Sequence, residues 1–477
     1  MFPYLTTTQT GSCREIQSGR FHKIAMLALS TLAAVAVSMS FLNAVSAEPT
    51  TRPNIVMILV DDMGYGDLPA YGAKDVRTPN LDRFATQGVR LTSYYAAGAE
   101  CTPTRTALMT GQYPQRTGGM ECAIGTGNVG RYDDAIRLRE THNLGLPAKQ
   151  SVLASSLKMA GYQTAVFGKW HLGYESKHHP FEQGFDQFFG FLGGYVDYYR
   201  HREFSDLDVF FDGRKPVETQ GYMTELITDR AVQFVETSPK TSPFFLYVAF
   251  SVPHFPFQPP ESDSGKMVAQ EELTKGTRKN YVAMLEDMDR EIGRILKSLD
   301  KRGMTDNTLV VFASDHGAIV PGSNAPFRGF KSGLFEGGIR TACMMRWPQH
   351  LPAGVVSDQP AITMDLTTSF INAGRGKTPG GYRPDGLDIV QHLSKTQSIL
   401  PRTLAWRAKR DDRVWRAIRH DDWKLVTRLE DGIHEEWLFD LKNDSAEQVD
   451  QSANQPQRKT ELARLLVNWE SDTKSAR

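Results

Sequence analysis

Four cysteines in 477 residues are too few to staple a chain of this length, so its stability must come from a hydrophobic core and not from a disulfide framework. An excess of either charge is also missing. Fifty-five Lys and Arg balance 55 Asp and Glu, which leaves no general field to gather nucleic acid or an anionic membrane surface. Internal repeats, low-complexity tracts and long linkers are absent from the sequence. What is present, 40% hydrophobic and 23% charged residues, describes a folded, water-borne body of two or three domains rather than a disordered or polytopic chain.

Ile24 to Ala47 carries no charged residue, follows Arg20 and Lys23, and ends in Val45-Ser46-Ala47. A basic start, an apolar middle and small residues before the end follow the plan of a secretory signal. Residues 1–47 are therefore read as a signal peptide cleaved after Ala47, in preference to an uncleaved anchor. The product is expected to be exported, periplasmic or secreted, with no membrane contact after cleavage. Removing this segment takes away Arg14, Arg20, Lys23 and Glu15 and leaves 52 basic against 54 acidic residues. It also leaves Cys101, Cys122 and Cys343. Nothing around Cys122 and Cys343 suggests chemistry, and packing is their expected role.

Four apolar runs stop abruptly in polar clusters. Asn54 to Val60 meets Asp61-Asp62, and Thr164 to Phe167 meets Gly168-Lys169-Trp170-His171. Phe244 to Phe250 meets Ser251-Val252-Pro253-His254, and Leu309 to Ala313 meets Ser314-Asp315-His316-Gly317. Continuous apolar runs of this length fit strands covered on both faces. Tyr222 to Val235 and Val282 to Leu299 show helical spacing, so strand and helix alternate and the sheet is predicted to be mainly parallel. In such sheets ligands sit beyond the carboxyl ends of the strands, which is where all four clusters fall. From about Ala405 the pattern changes to short Trp-rich pieces (Trp415 to Ile418, Trp423 to Val426, Trp437 to Leu441) and a last helix from Pro456 to Trp469. The organisation expected is a catalytic domain over 48–400 and a smaller antiparallel domain with a terminal helix over 401–477.

Cys101-Thr102-Pro103-Thr104-Arg105 reads as the start of a short helix, with Thr102 as N-cap, Pro103 in the first turn and Gly111 at the stop. Free N–H groups, the helix dipole and Arg105 would all favour an anion beside Cys101. With the tail Gly111 to Arg116, this segment resembles the signature of the sulfatase family, whose Cys in C-x-P-x-R is oxidised enzymatically to formylglycine. Asn54 to Leu68, Gly168 to His171, Pro253-His254, Ser314 to Gly317 and Lys331 to Arg340 follow in that family's order. The resemblance implies an alkaline-phosphatase-like α/β/α sandwich and a sulfuric ester hydrolase. It also implies one divalent ion, Ca2+, held by Asp61, Asp62, Asp315 and the hydrated aldehyde at Cys101, and a formylglycine-generating or sulfatase-maturing enzyme as partner.

A sulfate monoester carries negative charge, so its oxygens must be neutralised before a nucleophile approaches. By resemblance Arg105 and Lys169 steady the residue 101 side chain and the sulfate, and His171 acts as base. His254 and Lys331 bind sulfate and protonate the leaving alcohol. This reading requires a neutral His171 and a protonated His254. His316 stands where the family commonly has Asn, which puts a nitrogen in place of an oxygen among the metal donors.

The His178-His179 pair is read as a loop, since adjacent histidines do not share one tetrahedral zinc site easily. Glu336-Gly337-Gly338 is read as turn geometry that positions Lys331. The segment Glu121 to Lys149, with Arg131, Arg137, Arg139 and His142, and the segment Tyr195 to Arg202 mix bases with polar or aromatic residues. Either could grip a sulfated glycan or face solvent. Two alternatives stay open at this point: a phosphonate or phosphate ester hydrolase on the same scaffold, and an inactive sulfated-glycan-binding homologue.

Overall fold

A computed structural model describes residues 52–474; the expected signal peptide lies outside the described residues. Eleven strands define the main architecture: β1 (Asn54–Asp61), β2 (Val89–Leu91), β3 (Tyr94–Tyr95), β4 (Gln163–Lys169), β5 (Gln187–Phe191), β6 (Phe211–Asp212), β7 (Lys215–Pro216), β8 (Phe244–Pro253), β9 (Thr308–Ser314), β10 (Cys343–Arg346) and β11 (Val355–Ser357). Ten of them form one sheet in the order β11-β2-β10-β9-β1-β8-β4-β5-β6-β7, while β3 pairs with β12 (Ala361–Ile362). The central strands β9, β1, β8, β4 and β5 are mutually parallel, and antiparallel pairing appears toward the two edges.

The period of two in β1 explains its unbroken apolar run. Ile55, Met57 and Leu59 enter a core on one face with Leu108, Leu153 and Phe370, while Val56, Ile58 and Val60 enter a second core on the other with Ile227, Leu285 and Ile292. The second core belongs to the helices Met223–Thr237 and Arg278–Arg302; the first starts one residue after the predicted Tyr222 and ends two beyond Val235, and the second extends its predicted stretch at both ends. Each fully buried aliphatic side chain contributes on the order of 1.5–3 kcal/mol, so these two interfaces dominate the stability of the sandwich.

The C-terminal region forms a separate antiparallel sheet of β13 (Thr403–Arg410), β14 (Arg413–His420), β15 (Trp423–Glu430) and β16 (Ile433–Asp440). One face packs on Tyr95, Ala107, Leu334 and Phe335 of the larger body. Its other face receives Leu462 and Leu466 from the last helix, Pro456–Asp472. No helix among the described residues is long and apolar enough to cross a membrane.

Candidate active site at the carboxyl edge of the sheet

Parallel register brings the four polar clusters level. Leu59 pairs with Ala313 on one side and Ala249 on the other, and Gly168 pairs with Ala249. The next residues of each strand therefore emerge at one edge. Gly168 has φ of +114°, and a Cβ there would lie 2.0 Å from Ala249 O, so only glycine lets Lys169 turn into the site. Asp62 and His171 also adopt positive φ, 64° and 57°, a strained geometry for residues with side chains.

Cys101 opens the helix Cys101–Thr110, which stops at Gly111 with φ of 65°. The cap differs from the expectation: Glu100 holds the N-cap position, so Thr102 lies inside the first turn. The Thr102 hydroxyl instead donates to His171 O at 3.0 Å and accepts from Ile124 N at 3.1 Å, tying the helix to two loops that line the site.

The Cys101 sulfur is the meeting point of the cluster. It lies 3.3 Å from Asp61 Oδ1, 3.3 Å from His316 Nε2, 3.2 Å from Lys169 Nζ and 4.0 Å from Lys331 Nζ. Lys169 also donates to Asp61, and Lys331 donates to Asp62 Oδ1 at 2.6 Å. Arg105 donates to Asp315 Oδ2 at 3.1 Å, to Lys169 O at 2.9 Å and to the Tyr247 hydroxyl at 3.3 Å. Tyr247 sits inside the apolar run of β8, where nothing in the sequence distinguishes it from core. Every metal-ligand and catalytic residue expected from the sequence thus converges on this edge, with His171, His254 and Lys331 lining a cleft of about 180 Å³ beside Cys101.

The donors fit a divalent cation. Single ligand atoms of Asp61, Asp62, Cys101 and His316 lie within 4.8 Å of one another, and Asp62 Oδ2 is buried without a hydrogen-bond partner among the described residues. Asp315 Oδ1 lies 3.4 Å from His316 Nε2 and completes the acidic face. His316 pairs its Nδ1 with Gly317 O at 3.0 Å, so Nε2 faces the carboxylates and would become a ligand atom once a cation displaced its proton. Against the desolvation of burial, Asp315 and the Cys101 sulfur push the His316 imidazole up to about 10. Desolvation opposes ionisation of Asp61, yet Lys169, His254 and Arg105 hold it well below the usual carboxylate range. Asp62 is raised by burial.

The two histidines expected to be catalytic behave alike. Burial and then Lys169 push His171 well below the usual imidazole range, as expected; its Nε2 lies 2.8 Å from Ile124 O, and Nδ1 has no hydrogen-bond partner among the described residues. His254 departs from the expected protonated state. Burial, Lys331 and Lys169 also lower it well below the usual range, because two ammonium groups outweigh the attraction of Asp61. Its Nδ1 lies 2.7 Å from Phe255 O, Nε2 lies 3.7 Å from Asp62 Oδ2, and its carbonyl accepts from the Tyr198 hydroxyl at 3.0 Å.

Other expectations divide. His178 and His179 do not form a site: His178 Nδ1 pairs with Leu146 O, and His179 Nδ1 accepts from Phe181 N. Gly338 does press on the turn that carries Lys331, since a Cβ there would lie 2.0 Å from Gly333 O. Glu336 has a larger part than turn geometry, for its carboxylate accepts from Tyr95 OH, Arg340 and Lys424. Of the Glu121 to Lys149 bases, Arg131 lines the cleft while Arg137, Arg139 and His142 are exposed. Tyr195 lines it as well, whereas Arg200 and Arg202 pair with Asp263 and Asp206. Arg410 and Glu100 also line it without having been singled out in the sequence.

The family model described as Sulfatase matches residues 53–376. N-acetylgalactosamine-6-sulfatase of Mus musculus is 34% identical over 381 residues, 76% of this chain and 70% of that protein. Arylsulfatase J of Mus musculus is 30% identical over 476 residues, 88% of this chain and 76% of that protein. Among solved structures, that of Ps i-CgsB in complex with k-i-k-neocarrahexaose superposes with a TM-score of 0.78 at 30% identity, covering 89% of this chain and 94% of that one. With its fold, its ordered motifs and these relatives in agreement, the chain belongs to the sulfatase family of sulfuric ester hydrolases.

Proposed function

We propose that this hydrolase removes sulfate from a sulfated carbohydrate, using formylglycine at position 101 and one divalent ion, Ca2+ on family grounds. The observation that carries the reading is the Cys101 side chain standing between two cations and the Asp61 carboxylate, at the mouth of a helix and in contact with His316. Asp61, Asp62, Asp315, His316 and residue 101 would hold the ion. When bound, it supplies positive charge for the ester oxygens.

Lys169 and Lys331 orient the sulfate from either side of residue 101, and Arg105 keeps Asp61 and Asp315 in place beneath it. A hydrated aldehyde carries two geminal hydroxyls, so sulfate can be taken up on one and expelled when the other loses its proton. His171, buried and neutral, accepts that proton on the nitrogen left unpaired by its bond to Ile124 O. His254 and Lys331 stand on the cleft wall where the alcohol departs, and Lys331 is the protonated member of that pair. Burial alone would discharge Lys331, but Asp62 holds its proton on, its pKa lying above the usual lysine range.

The carbohydrate reading is supported by the names of the relatives, one an N-acetylgalactosamine-6-sulfatase and one solved in complex with k-i-k-neocarrahexaose. Tyr195 and Phe255, tilted together with ring centroids 5.3 Å apart, give the cleft an aromatic wall of the kind that packs on sugar rings. Export to a periplasmic or extracellular space, and encounter with a maturing enzyme, complete the proposal.

The test combines mass spectrometry of the peptide containing residue 101 with turnover of an aryl sulfate, an aryl phosphate and an aryl phosphonate. The expected result is an aldehyde at position 101, in protein co-expressed with a maturing enzyme, and preference for the sulfate ester. Full activity with an unmodified thiol would sink the formylglycine proposal, and preference for the phosphonate would move the substrate class.

A further inference from the structure

We infer, resting on the sulfatase reading, that Arg131 and Arg410 form a second oxyanion subsite that recognises an additional sulfate or carboxylate on the sugar bearing the scissile ester. Both guanidinium side chains line the cleft beside Cys101. Neither belongs to the cluster that would hold the reacting sulfate, where Lys169, Lys331 and Arg105 already face Asp61, Asp62 and Asp315.

Arg131 has no carboxylate within ion-pair distance among the described residues, and its buried Nε has no hydrogen-bond partner. Its guanidinium lies against Gly125, where an added Cβ would come within 3.1 Å of Nη2 and 3.2 Å of Nε. Arg410 faces one acid, with Nη1 3.4 Å from Glu100 Oε1, and its own Nε is likewise buried and unpaired. Glu100 is already occupied, accepting from Ser332 Oγ and from Ala123 N at 2.7 Å each. One committed carboxylate therefore faces Arg410, and among the described residues none pairs with Arg131. A half-buried arginine without a partner loses hydration and regains nothing until an anion arrives, and a fork of N–H donors matches the oxygens of sulfate or carboxylate.

Arg131 sits in a loop of the larger body and Arg410 on a strand of the C-terminal sheet, and the contact that joins them is specific. Arg410 ends β13, the edge strand of the C-terminal sheet, and the next residue, Asp411, donates its N–H to Arg131 O at 2.6 Å. Farther back on the same strand Arg407 grips Glu121 with two bonds of 2.7 and 2.8 Å, and its carbonyl accepts from Gln115 Nε2 at 2.7 Å. The C-terminal sheet thus supplies a substrate-facing side chain and fixes the backbone of the other.

The test compares kcat/KM for N-acetylgalactosamine bearing one sulfate, the same sugar bearing two, and the singly sulfated sugar linked to glucuronate, in the wild type and in Arg131→Ala, Arg131→Lys and Arg410→Ala. The readout is the ratio of doubly to singly anionic substrate measured on one preparation, which a partly unfolded variant leaves unchanged. Each alanine variant is expected to lower that ratio about tenfold or more, mainly through KM, and Arg131→Lys by less. The arm that responds, second sulfate or uronate, names the oxyanion. A ratio unaltered in all variants overturns the subsite and leaves the sulfatase reading standing. Absence of wild-type turnover on all three sugars with activity retained on an aryl sulfate overturns the carbohydrate assignment and the subsite together.

Discussion

Two clusters of buried charge can be set side by side. Under the C-terminal sheet, Lys424 lies 2.8 Å from Glu336 Oε1 and 2.9 Å from Glu447 Oε1, with all three side chains fully buried. Tyr95, Arg340 and the Glu336 N–H supply the remaining bonds. At the carboxyl edge of the main sheet, Asp61, Asp62 and Asp315 meet Arg105, Lys169 and Lys331, yet Asp62 Oδ2 has no hydrogen-bond partner among the described residues and His316 Nε2 faces three carboxylates. In the first cluster Glu447 Oε1 makes no hydrogen bond among the described residues, but the Lys424 ammonium 2.9 Å away compensates its charge. In the second, Asp62 Oδ2 makes no hydrogen bond and has the His254 imidazole 3.7 Å away, which leaves it suited to meet a ligand. Burial of charge alone does not mark a site; burial with donors left over does.

The comparison can be broken most sharply at Cys101. Cys101→Ala removes the proposed reacting group, so turnover should fall roughly a thousandfold or more while the urea midpoint stays within error of the wild type. Retained turnover would erase the distinction between the two clusters. Lys424→Met tests the converse, since it strands two carboxylates at the junction of the sheets. It should cost about 3–5 kcal/mol in denaturant unfolding and leave kcat per folded molecule unchanged. A smaller effect concerns pH. Burial raises Glu447 from 4.5 to about 7, so the folded state binds this proton more tightly than the unfolded chain. Its contribution is complete below pH 4.5 and is lost as the pH rises to about 7. Glu336, which Lys424, Arg340 and Arg419 hold down at about 2 despite burial, has the opposite sign and acts below that window. Melting temperatures of the wild type should therefore carry a declining component between pH 4.5 and 7 that Glu447→Gln removes; an identical slope in the variant would contradict it.

How far the sequence could be read follows from the range of the interactions. Asp61, Lys169, His254 and Asp315 could be grouped in advance because each follows an apolar run, and parallel strands end level. Lys331 was placed by family resemblance, since its turn is held by Ala318 O and Ala99 O, contacts from distant chain. Tyr247 stayed hidden because a hydroxyl inside an apolar strand looks like core until Arg105 reaches it. Arg410 reads as one more base on an alternating strand, and only the docking of β13 on Arg131 brings it to the cleft. Glu336 was underestimated for the same reason: Lys424 lies on the C-terminal sheet and Glu447 in the loop that follows it. His254 departs from the expected state because burial, and then Lys331 and Lys169, disfavour its charge, a combination that no local motif encodes.

Cys101 is only 1% exposed in the finished fold, enclosed by segments from the first and last strands of the parallel core. A second enzyme cannot grasp a thiol so enclosed. On the proposed route the aldehyde must be installed while the chain is still nascent, and folding then shuts the door. Specific activity of a preparation would record the outcome of that race, and slowing collapse would raise the active fraction without altering a single active-site atom.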